Sequence, residues 1–355
     1  MRKLLAVIII SIFGSFILSV FLNGNPQQGF LDSWNKWDGP HYIEIAKSGY
    51  VNSGENRVFI AFFPFYPVLI SAFTIILRDF LLSALVISNI AYAVAAFYLY
   101  KIVLLDHSKK IAMTAVILFS IFPTAYFLHA GYTESLFIAL TVSSFYYARK
   151  GMWAVSGILG ALSSATRIVG VILLPAILLE YLHQKKFRLG KIRKDILLIF
   201  IIPVGFLSYL LINQAVFGDM FTFQSIQKNW WGQELVFPMS GIFNSWNSIF
   251  WRGGTDSITV GSAQIGFALL GLAFSIYSIK KQRPSYSFFM TASWLIAVST
   301  SFWMSVPRLM LIAFPMFISA SVLCRKGIVR YPVFVLSFLL FAFFLSLFVT
   351  GSWAF

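Results

Sequence analysis

Long apolar runs without a charged residue constrain this chain more than any other feature of its sequence. Residues 4–22, 196–217 and 333–349 each have the length, about 17 to 25 residues, that a helix needs to cross a bilayer. The runs are continuous and lack the alternation typical of membrane β-barrel strands. Charged residues make up 11% of the chain, against about 25% in soluble domains. We therefore predict an all-α polytopic membrane protein.

The basic residues lie in clusters between the apolar runs, and this pattern predicts the orientation of the spans. Because Lys and Arg near span ends are retained in the cytoplasm, the clusters at 185–194, 280–283 and 325–330 mark cytoplasmic loops. The loops 23–61 and 217–261 then lie outside. The same pattern accounts for the formal net charge of +15 without nucleic-acid binding, which would require a basic face.

One apolar stretch, residues 62–77, leaves the topology open. If it crossed the bilayer, the basic clusters around Lys109 and Arg149 would move to the outer face. If it lies in the outer interface, every basic cluster stays inside and about 11 spans result. Pro64 and Pro67 favour an interfacial or broken helix, because a proline inside a helix costs about 3 kcal/mol. We predict that residues 62–77 do not cross.

The first outer loop is predicted to contain a short helix that follows an acid. Pro40 favours a helix start and Gly49 a helix end, so Asp38 would be held at the membrane surface just before the helix. Its carboxylate either caps this helix or takes part in chemistry, and the residue pattern leaves both open. The aromatic residues of the loop, Trp34 and Trp37 among them, are expected at the membrane interface.

Several blocks of this sequence resemble one family of membrane glycosyltransferases. The blocks are Trp37-Asp38-Gly39-Pro40-His41-Tyr42, Ala61-Phe62-Phe63-Pro64-Phe65-Tyr66-Pro67, Tyr132-Thr133-Glu134-Ser135-Leu136-Phe137 and Ala165-Thr166-Arg167. In order and spacing they resemble the GPI mannosyltransferase II (PIG-V) family of GT-C enzymes. The resemblance extends over residues 30–180 and becomes loose beyond them, where Pro307-Arg308-Leu309 follows the prokaryotic branch.

The resemblance implies a fold and a reaction. The fold would be a GT-C-like bundle forming one multispanning domain, with 1–183 as the catalytic module and 184–355 as C-terminal helices. The reaction would move a hexose, by family analogy mannose, from a polyprenyl- or dolichyl-phosphate carrier to an extracytoplasmic glycolipid or glycan, with inversion and without a cofactor. The membrane would be the prokaryotic cytoplasmic membrane, or the endoplasmic reticulum in a eukaryote, with lipids as further partners.

The same resemblance implies catalytic residues in the first outer loop. GT-C enzymes use a carboxylate there as general base, and Asp38 matches its position. A base must lie within hydrogen-bond reach of the acceptor hydroxyl, which a residue at the membrane surface can do. His41 either orients the acid or the acceptor, or is a structural hydrogen-bonding group.

Two arginines are candidates for the site of the donor phosphate. Arg167 and Arg308 lie at predicted outer span ends, and a guanidinium binds phosphate through two hydrogen bonds while staying charged. Either side chain could instead reach out to ordinary phospholipid headgroups. The sequence leaves both roles of these arginines open.

A further group of residues is expected to contact substrate: Trp37, Tyr42, Tyr132, Glu134 and Trp231. Glu134 could bond sugar hydroxyls, pair with an arginine, or interact with a helix N-terminus. Trp231 belongs to a Trp-rich outer loop that would form either a platform for the acceptor sugar or an aromatic belt.

The acids of the first outer loop do not suggest a metal site. Asp32, Asp38 and Glu44 are six residues apart and the sequence contains no D-x-D motif. We expect no metal, although oxygen ligands from distant loops can also assemble a magnesium site.

Two other classes of function compete with an enzyme. A flippase or exporter of polyprenyl-linked glycans would place charged groups in a cavity within the spans, whereas here they collect at outer span ends. A non-catalytic assembly subunit would keep the spans and tolerate loss of Asp38 and Arg167.

Overall fold

The structure is a computed structural model that describes residues 1–23 and 29–355. Residues 24–28 of the predicted outer loop lie outside the described residues. The α-helices are α1 Arg2–Leu22, α2 Gly39–Ser48, α3 Phe65–Leu77, α4 Phe80–Val103, α5 Lys109–Ser120, α6 Glu134–Arg149, α7 Trp153–Ser164, α8 Leu173–Gln184, α9 Val204–Phe217, α10 Thr222–Asn229, α11 Ile242–Trp251, α12 Ala263–Lys281, α13 Pro284–Val298, α14 Val306–Leu311, α15 Pro315–Leu323 and α16 Gly327–Thr350.

Shorter helical turns connect these elements. The 3-10 segments are Asp32–Trp34, Glu55–Ala61, Ala125–Leu128, Ile168–Ile172, Leu189–Lys191 and Lys194–Ile201, and a π-helical turn, Ser257–Ser262, leads into α12. Extended pairing within the described residues is limited to an isolated bridge between Leu235 and Thr300.

Five helices of the described chain are long and apolar enough to cross a bilayer. They are Arg2–Leu22, Phe80–Val103, Lys194–Phe217, Ser257–Lys281 and Gly327–Thr350. Three of them contain the apolar runs at 4–22, 196–217 and 333–349. The prediction of an all-α polytopic membrane protein is therefore confirmed.

Other apolar helices of the bundle, among them α5, α14 and α15, are shorter or separated by breaks. Helix α5 has 12 residues, about 18 Å, against a hydrocarbon core of about 30 Å. Pro123 follows its end, and Pro315 begins α15 after the break that separates it from α14. A proline lacks the N–H that would continue the helical hydrogen bonds. The total of about 11 spans stays a prediction.

The ambiguous stretch 62–77 is bent sharply away from the turn before it. The segments Glu55–Ala61 and Phe65–Leu77 meet at 112°. The chain reverses at Arg78, whose φ is 59°, and Asp79 then caps α4 by accepting a hydrogen bond of 2.6 Å from the Leu82 amide. Helix α3 therefore lies against α4 instead of continuing in line with another helix. That residues 62–77 do not cross the bilayer remains a prediction.

The centre of the bundle is α6, which packs closely on α4 and α7 and is buried along most of its length. Glycines allow neighbouring helices to approach closely. A Cβ atom at Gly205 of α9 would lie 1.8 Å from the carbonyl oxygen of Ala161 in α7. Small residues that bring helix backbones into contact are typical of membrane helix pairs.

Ionic contacts hold the end of α6 that lies on the predicted cytoplasmic side. Arg149 donates two hydrogen bonds to Asp106, of 2.6 and 2.8 Å. Its Nε atom lies 3.6 Å from Oε1 of the buried Glu180, which also accepts 2.8 Å from Arg283. These contacts join α6, α8 and the start of α13, and they fix the end of α6 opposite to Glu134.

The position of residues 62–77 can be tested by cysteine labelling from outside, in a Cys324→Ser background. We expect Asp79→Cys to react with an impermeant maleimide in intact cells, and Lys109→Cys to react only after permeabilisation, because α4 would separate them. Ser53→Cys, in the predicted outer loop, is the matched control because it lies outside in either topology. Protection of position 79 together with labelling of position 109 would show that residues 62–77 cross.

Candidate active site

The carboxylate of Asp38 lies immediately before α2 but does not cap it. Helix α2 begins at Gly39 and ends before Gly49, whose φ is 73°, which confirms the predicted short helix. The Asp38 side chain makes no capping hydrogen bond. Instead, Oδ2 accepts a hydrogen bond of 2.7 Å from Nη1 of Arg308. The sequence left two roles open for the Asp38 carboxylate, and the structure shows that it does not cap α2.

The backbone around Asp38 is fixed by Tyr132. Its hydroxyl donates 2.7 Å to the Lys36 carbonyl and accepts 3.1 Å from the Asp38 amide. Between them, Trp37 has a φ of 53°, a left-handed conformation that is uncommon outside glycine. The Trp37 ring then packs edge-on against Trp353 at 4.9 Å. Tyr132 and Trp37, which were expected to contact substrate, here shape the turn that presents Asp38.

Glu134 joins the two candidate arginines. It is the first residue of α6 and has no solvent-exposed surface. Its Oε1 accepts hydrogen bonds of 2.5 Å from Nε of Arg308 and 2.6 Å from Nη1 of Arg167. The Arg167 Nη1 also donates 2.8 Å to Thr133 Oγ1. Of the roles considered from sequence for Glu134, the geometry contains two: pairing with an arginine, here with both arginines, and a position in the first turn of a helix.

The two arginines reach Glu134 from different helix breaks. Arg167 lies after the end of α7 with an extended backbone, and Arg308 lies in α14 after Pro307. The guanidinium carbon of Arg308 is 4.8 Å from the ring centre of Phe127 and 4.7 Å from that of Tyr132, within the range of cation–π attraction. Both guanidinium groups thus bond to carboxylates of the bundle instead of extending towards lipid headgroups.

An aromatic wall stands beside Asp38. The His41 ring lies 4.5 Å from Phe59, 5.3 Å from Phe62 and 5.9 Å from Trp231, measured between ring centres. Burial lowers the pKa of His41 below its usual 6.5, against an opposing effect of Asp38, so the ring stays neutral at pH 7. The Trp231 indole N–H is buried and has no partner among the described residues.

The other tryptophans of that outer loop are exposed. Trp230, Trp246 and Trp251 all present large parts of their rings at the surface. This exposure suits an aromatic belt, whereas Trp231 packs on the wall.

Two aromatic residues differ from their expected environment. Trp34 was expected at the interface but is fully buried, and its indole N–H donates 3.1 Å to Ser19 of α1. Tyr42 is buried between Phe62 and Tyr66, at 5.1 and 5.4 Å, and burial raises its pKa to about 12. The expectation for Trp34 was wrong because a polar N–H can also be bonded inside the bundle.

The bundle also contains an apolar cavity that sequence reasoning missed. It has a volume of about 420 Å³ and lies between α3, α4, α6 and α7. Helix α6 contributes Leu136, Leu140, Ser143 and Tyr147, whose spacing places them on one helix face. That spacing was visible in the sequence, but it is equally typical of ordinary core packing.

The site balances its charges with side chains of the chain itself. Two carboxylates, Asp38 and Glu134, face two guanidinium groups, Arg167 and Arg308. Across the described residues, no group of three or more His, Cys, Asp or Glu side chains comes together in a way that could hold a metal ion. Arg308 comes from outside the predicted catalytic module 1–183, so the site draws on both parts of the chain.

Known proteins similar to this chain fall into one group by sequence. A family model described as Mannosyltransferase (PIG-V) matches residues 13–254. GPI alpha-1,6-mannosyltransferase 2 of Mus musculus is 33% identical over 156 residues, which are 41% of this chain and 31% of that protein. The Homo sapiens protein of the same name is 31% identical over the same shares. The chain thus matches 31% of the length of these curated relatives.

Solved structures are similar over almost the whole chain. ArnT from Cupriavidus metallidurans, bound to undecaprenyl phosphate, has a TM-score of 0.57 and 10% identity, covering 99% of this chain and 76% of that one. The Archaeoglobus fulgidus oligosaccharyltransferase, in the apo form, has a TM-score of 0.51 and 13% identity, covering 99% and 56%. At such identities the likeness concerns the fold, and it confirms the GT-C-like bundle. Since the family model covers residues 13–254, including the Asp38, Glu134 and Arg167 blocks, this chain belongs to the Mannosyltransferase (PIG-V) family.

Proposed function

We propose that this chain is a lipid-phosphate-sugar-dependent mannosyltransferase of the GT-C type. It would move mannose from a polyprenyl- or dolichyl-phosphate carrier to an extracytoplasmic glycolipid or glycan, with inversion at the anomeric carbon. The observation that carries this proposal is the convergence of Asp38, Glu134, Arg167 and Arg308 in one ionic cluster. Family membership supports mannose as the sugar, and the relatives named as GPI mannosyltransferases support a glycolipid acceptor.

In the proposed reaction, Asp38 is the general base. Its carboxylate takes the proton of an acceptor hydroxyl, whose oxygen attacks the anomeric carbon of the donor sugar. The bond between that carbon and the phosphate oxygen breaks, and its electron pair leaves with the phosphate. The side chain of Asp38 is 27% exposed, which leaves room for an acceptor to approach.

The leaving phosphate gains negative charge as the bond breaks, and the two arginines are placed to stabilise it. Arg167 uses Nη1 for its bonds to Thr133 and Glu134, and among the described residues no partner contacts its Nε or Nη2. Guanidinium donors of this kind match the oxygens of a phosphate. An interaction that strengthens as charge develops lowers the barrier more than it strengthens donor binding.

The apolar cavity supplies a place for the prenyl chain of the donor. Leu136 of α6 belongs to its apolar lining, together with side chains of α3, α4 and α7. The isoprene units of the donor would lie along these side chains. The bound undecaprenyl phosphate of ArnT supports a lipid phosphate as the carrier.

The aromatic wall is proposed to receive the acceptor. Sugar rings pack their apolar faces on aromatic side chains, and Trp231 offers an unpaired N–H for a hydroxyl. His41, neutral and in contact with Trp231, would orient the acceptor towards Asp38. The positive-inside pattern supports a site on the outer face of the cytoplasmic membrane of a prokaryote, or on the lumenal face of the endoplasmic reticulum.

Asp38→Asn tests the role of the base. We expect transfer from polyprenyl-phosphate-mannose to fall by about two to four orders of magnitude, because the amide keeps the shape but cannot take the proton. Purified wild type and variant are compared by radiolabelled mannose transfer, with membrane insertion and thermal stability measured in parallel. Glu44→Gln, which removes a carboxylate of the same loop that bonds to Ser48 and Asn56, is the matched control. Transfer by Asp38→Asn within a few-fold of wild type would show that Asp38 is not the general base.

Arg167 is tested by two substitutions of graded severity. We expect Arg167→Ala to lower kcat and to raise the KM for the donor, and Arg167→Lys to be impaired less because it keeps the charge but not the planar fork. Initial rates against donor concentration separate the two effects. Arg57→Ala, at an exposed position of the outer loop, controls for loss of a positive charge. If Arg167→Ala leaves both constants within about twofold, Arg167 does not bind the phosphate and Arg308 becomes the better candidate.

A further inference from the structure

We infer that the donor phosphate and the Asp38 carboxylate compete for the guanidinium of Arg308, so that donor binding releases the base. The inference rests on the proposed function and adds an order of events to it. The donor would bind first and would free Asp38 to accept the proton of the acceptor.

The two carboxylates bonded to Arg308 differ in how firmly they are held. Glu134 has no exposed surface, belongs to the central helix α6, and is bonded by Arg167 as well. Asp38 has 27% of its side chain exposed and lies in a turn before α2. Moving Glu134 would leave buried charges unpaired, which is strongly unfavourable, whereas Asp38 can turn towards solvent. Asp38 is therefore the partner that can be exchanged.

The guanidinium itself is fixed. It lies against the rings of Phe127 and Tyr132, is bonded to Glu134 through Nε, and has 9% of its side chain exposed. A phosphate must come to Arg308, because Arg308 cannot extend towards a phosphate. Nη1 is the donor that now bonds Asp38, so a phosphate that accepted a hydrogen bond from Nη1 would take the place of Asp38.

A phosphate bonded there would lie close to a second anion. Like charges within about 4 to 6 Å disfavour each other, and a largely buried setting weakens this repulsion less than water does. Without a ligand, the two carboxylates and two guanidinium groups of the site balance. A phosphodiester adds one negative charge, which is most easily accommodated if Asp38 leaves Arg308.

This competition has a consequence opposite to that of a purely structural ion pair. Removing the charge of Asp38 should strengthen donor binding, although it abolishes transfer. If Arg308 served only to orient Asp38, the same substitution would leave donor affinity unchanged, and if the ion pair held the site together, affinity would fall.

The experiment measures binding of polyprenyl-phosphate-mannose to the purified full-length chain without acceptor. We expect Asp38→Asn and Asp38→Ala to lower the Kd by about three- to tenfold, a change of the size that one neighbouring charge produces. Glu44→Gln should stay within twofold, which controls for the net charge of the loop. Arg167→Ala should weaken binding, because it removes a proposed phosphate contact from a side chain that does not bond Asp38.

A neutral ligand separates electrostatic competition from a general loosening of the site. Binding of polyprenol, which has the same chain without phosphate, should be equal in wild type and in both Asp38 variants. Tighter polyprenol binding in the variants would overturn the competition.

The remaining outcomes distinguish failure of this inference from failure of the proposed function. Unchanged or weaker donor binding in both Asp38 variants, with weaker binding in Arg167→Ala, would refute the competition and leave the phosphate site intact. Equal donor binding in wild type, the Asp38 variants and Arg167→Ala would refute the competition and also remove the phosphate site from the proposed function.

Discussion

The site depends on one buried oxygen, Oε1 of Glu134, which bonds two arginines that arrive from separate helix breaks. A carboxylate without exposed surface is stable only when its charge is compensated, and the arginines provide that compensation. The same contacts set the position of Arg308, and Arg308 sets the position of Asp38. The side chains of Arg167, Arg308 and Asp38 thus take their positions from the first residue of α6.

The architecture is suited to chemistry at the edge of a bilayer. Helix breaks at α7, α14 and α15 leave irregular backbone within an otherwise helical bundle, and in lipid such backbone must be covered by protein. Here it is covered, and the two arginines that lie at these breaks, Arg167 and Arg308, both bond Glu134. The bundle therefore contains both a cluster of charged groups and an apolar cavity, the two environments that a ligand with a charged head and a hydrocarbon tail requires.

Much of the fold followed from local properties of the sequence. Charge-free runs predicted the long helices, and Pro40 with Gly49 predicted α2, because both signals act over a few residues. The role of Glu134 was only one of several possibilities, since its partners lie 33 and 174 residues away and no periodicity relates them. Trp34 was misplaced for a similar reason, because its partner Ser19 belongs to another helix. Residue types indicated which groups could do chemistry, and tertiary packing decided which of them meet.

The separation of Glu134 from Arg308 also matters during synthesis. Arg167 follows Glu134 after 33 residues, whereas Arg308 follows after 174. At a synthesis rate of about 5 to 20 residues per second, roughly 10 to 30 s pass before the second arginine of Glu134 is made. During that interval the incomplete site has two acids, Asp38 and Glu134, and one arginine, Arg167, and the turn holding Asp38 has no cation from α14. Arg308 therefore joins a site whose other charged members have all been synthesised before it.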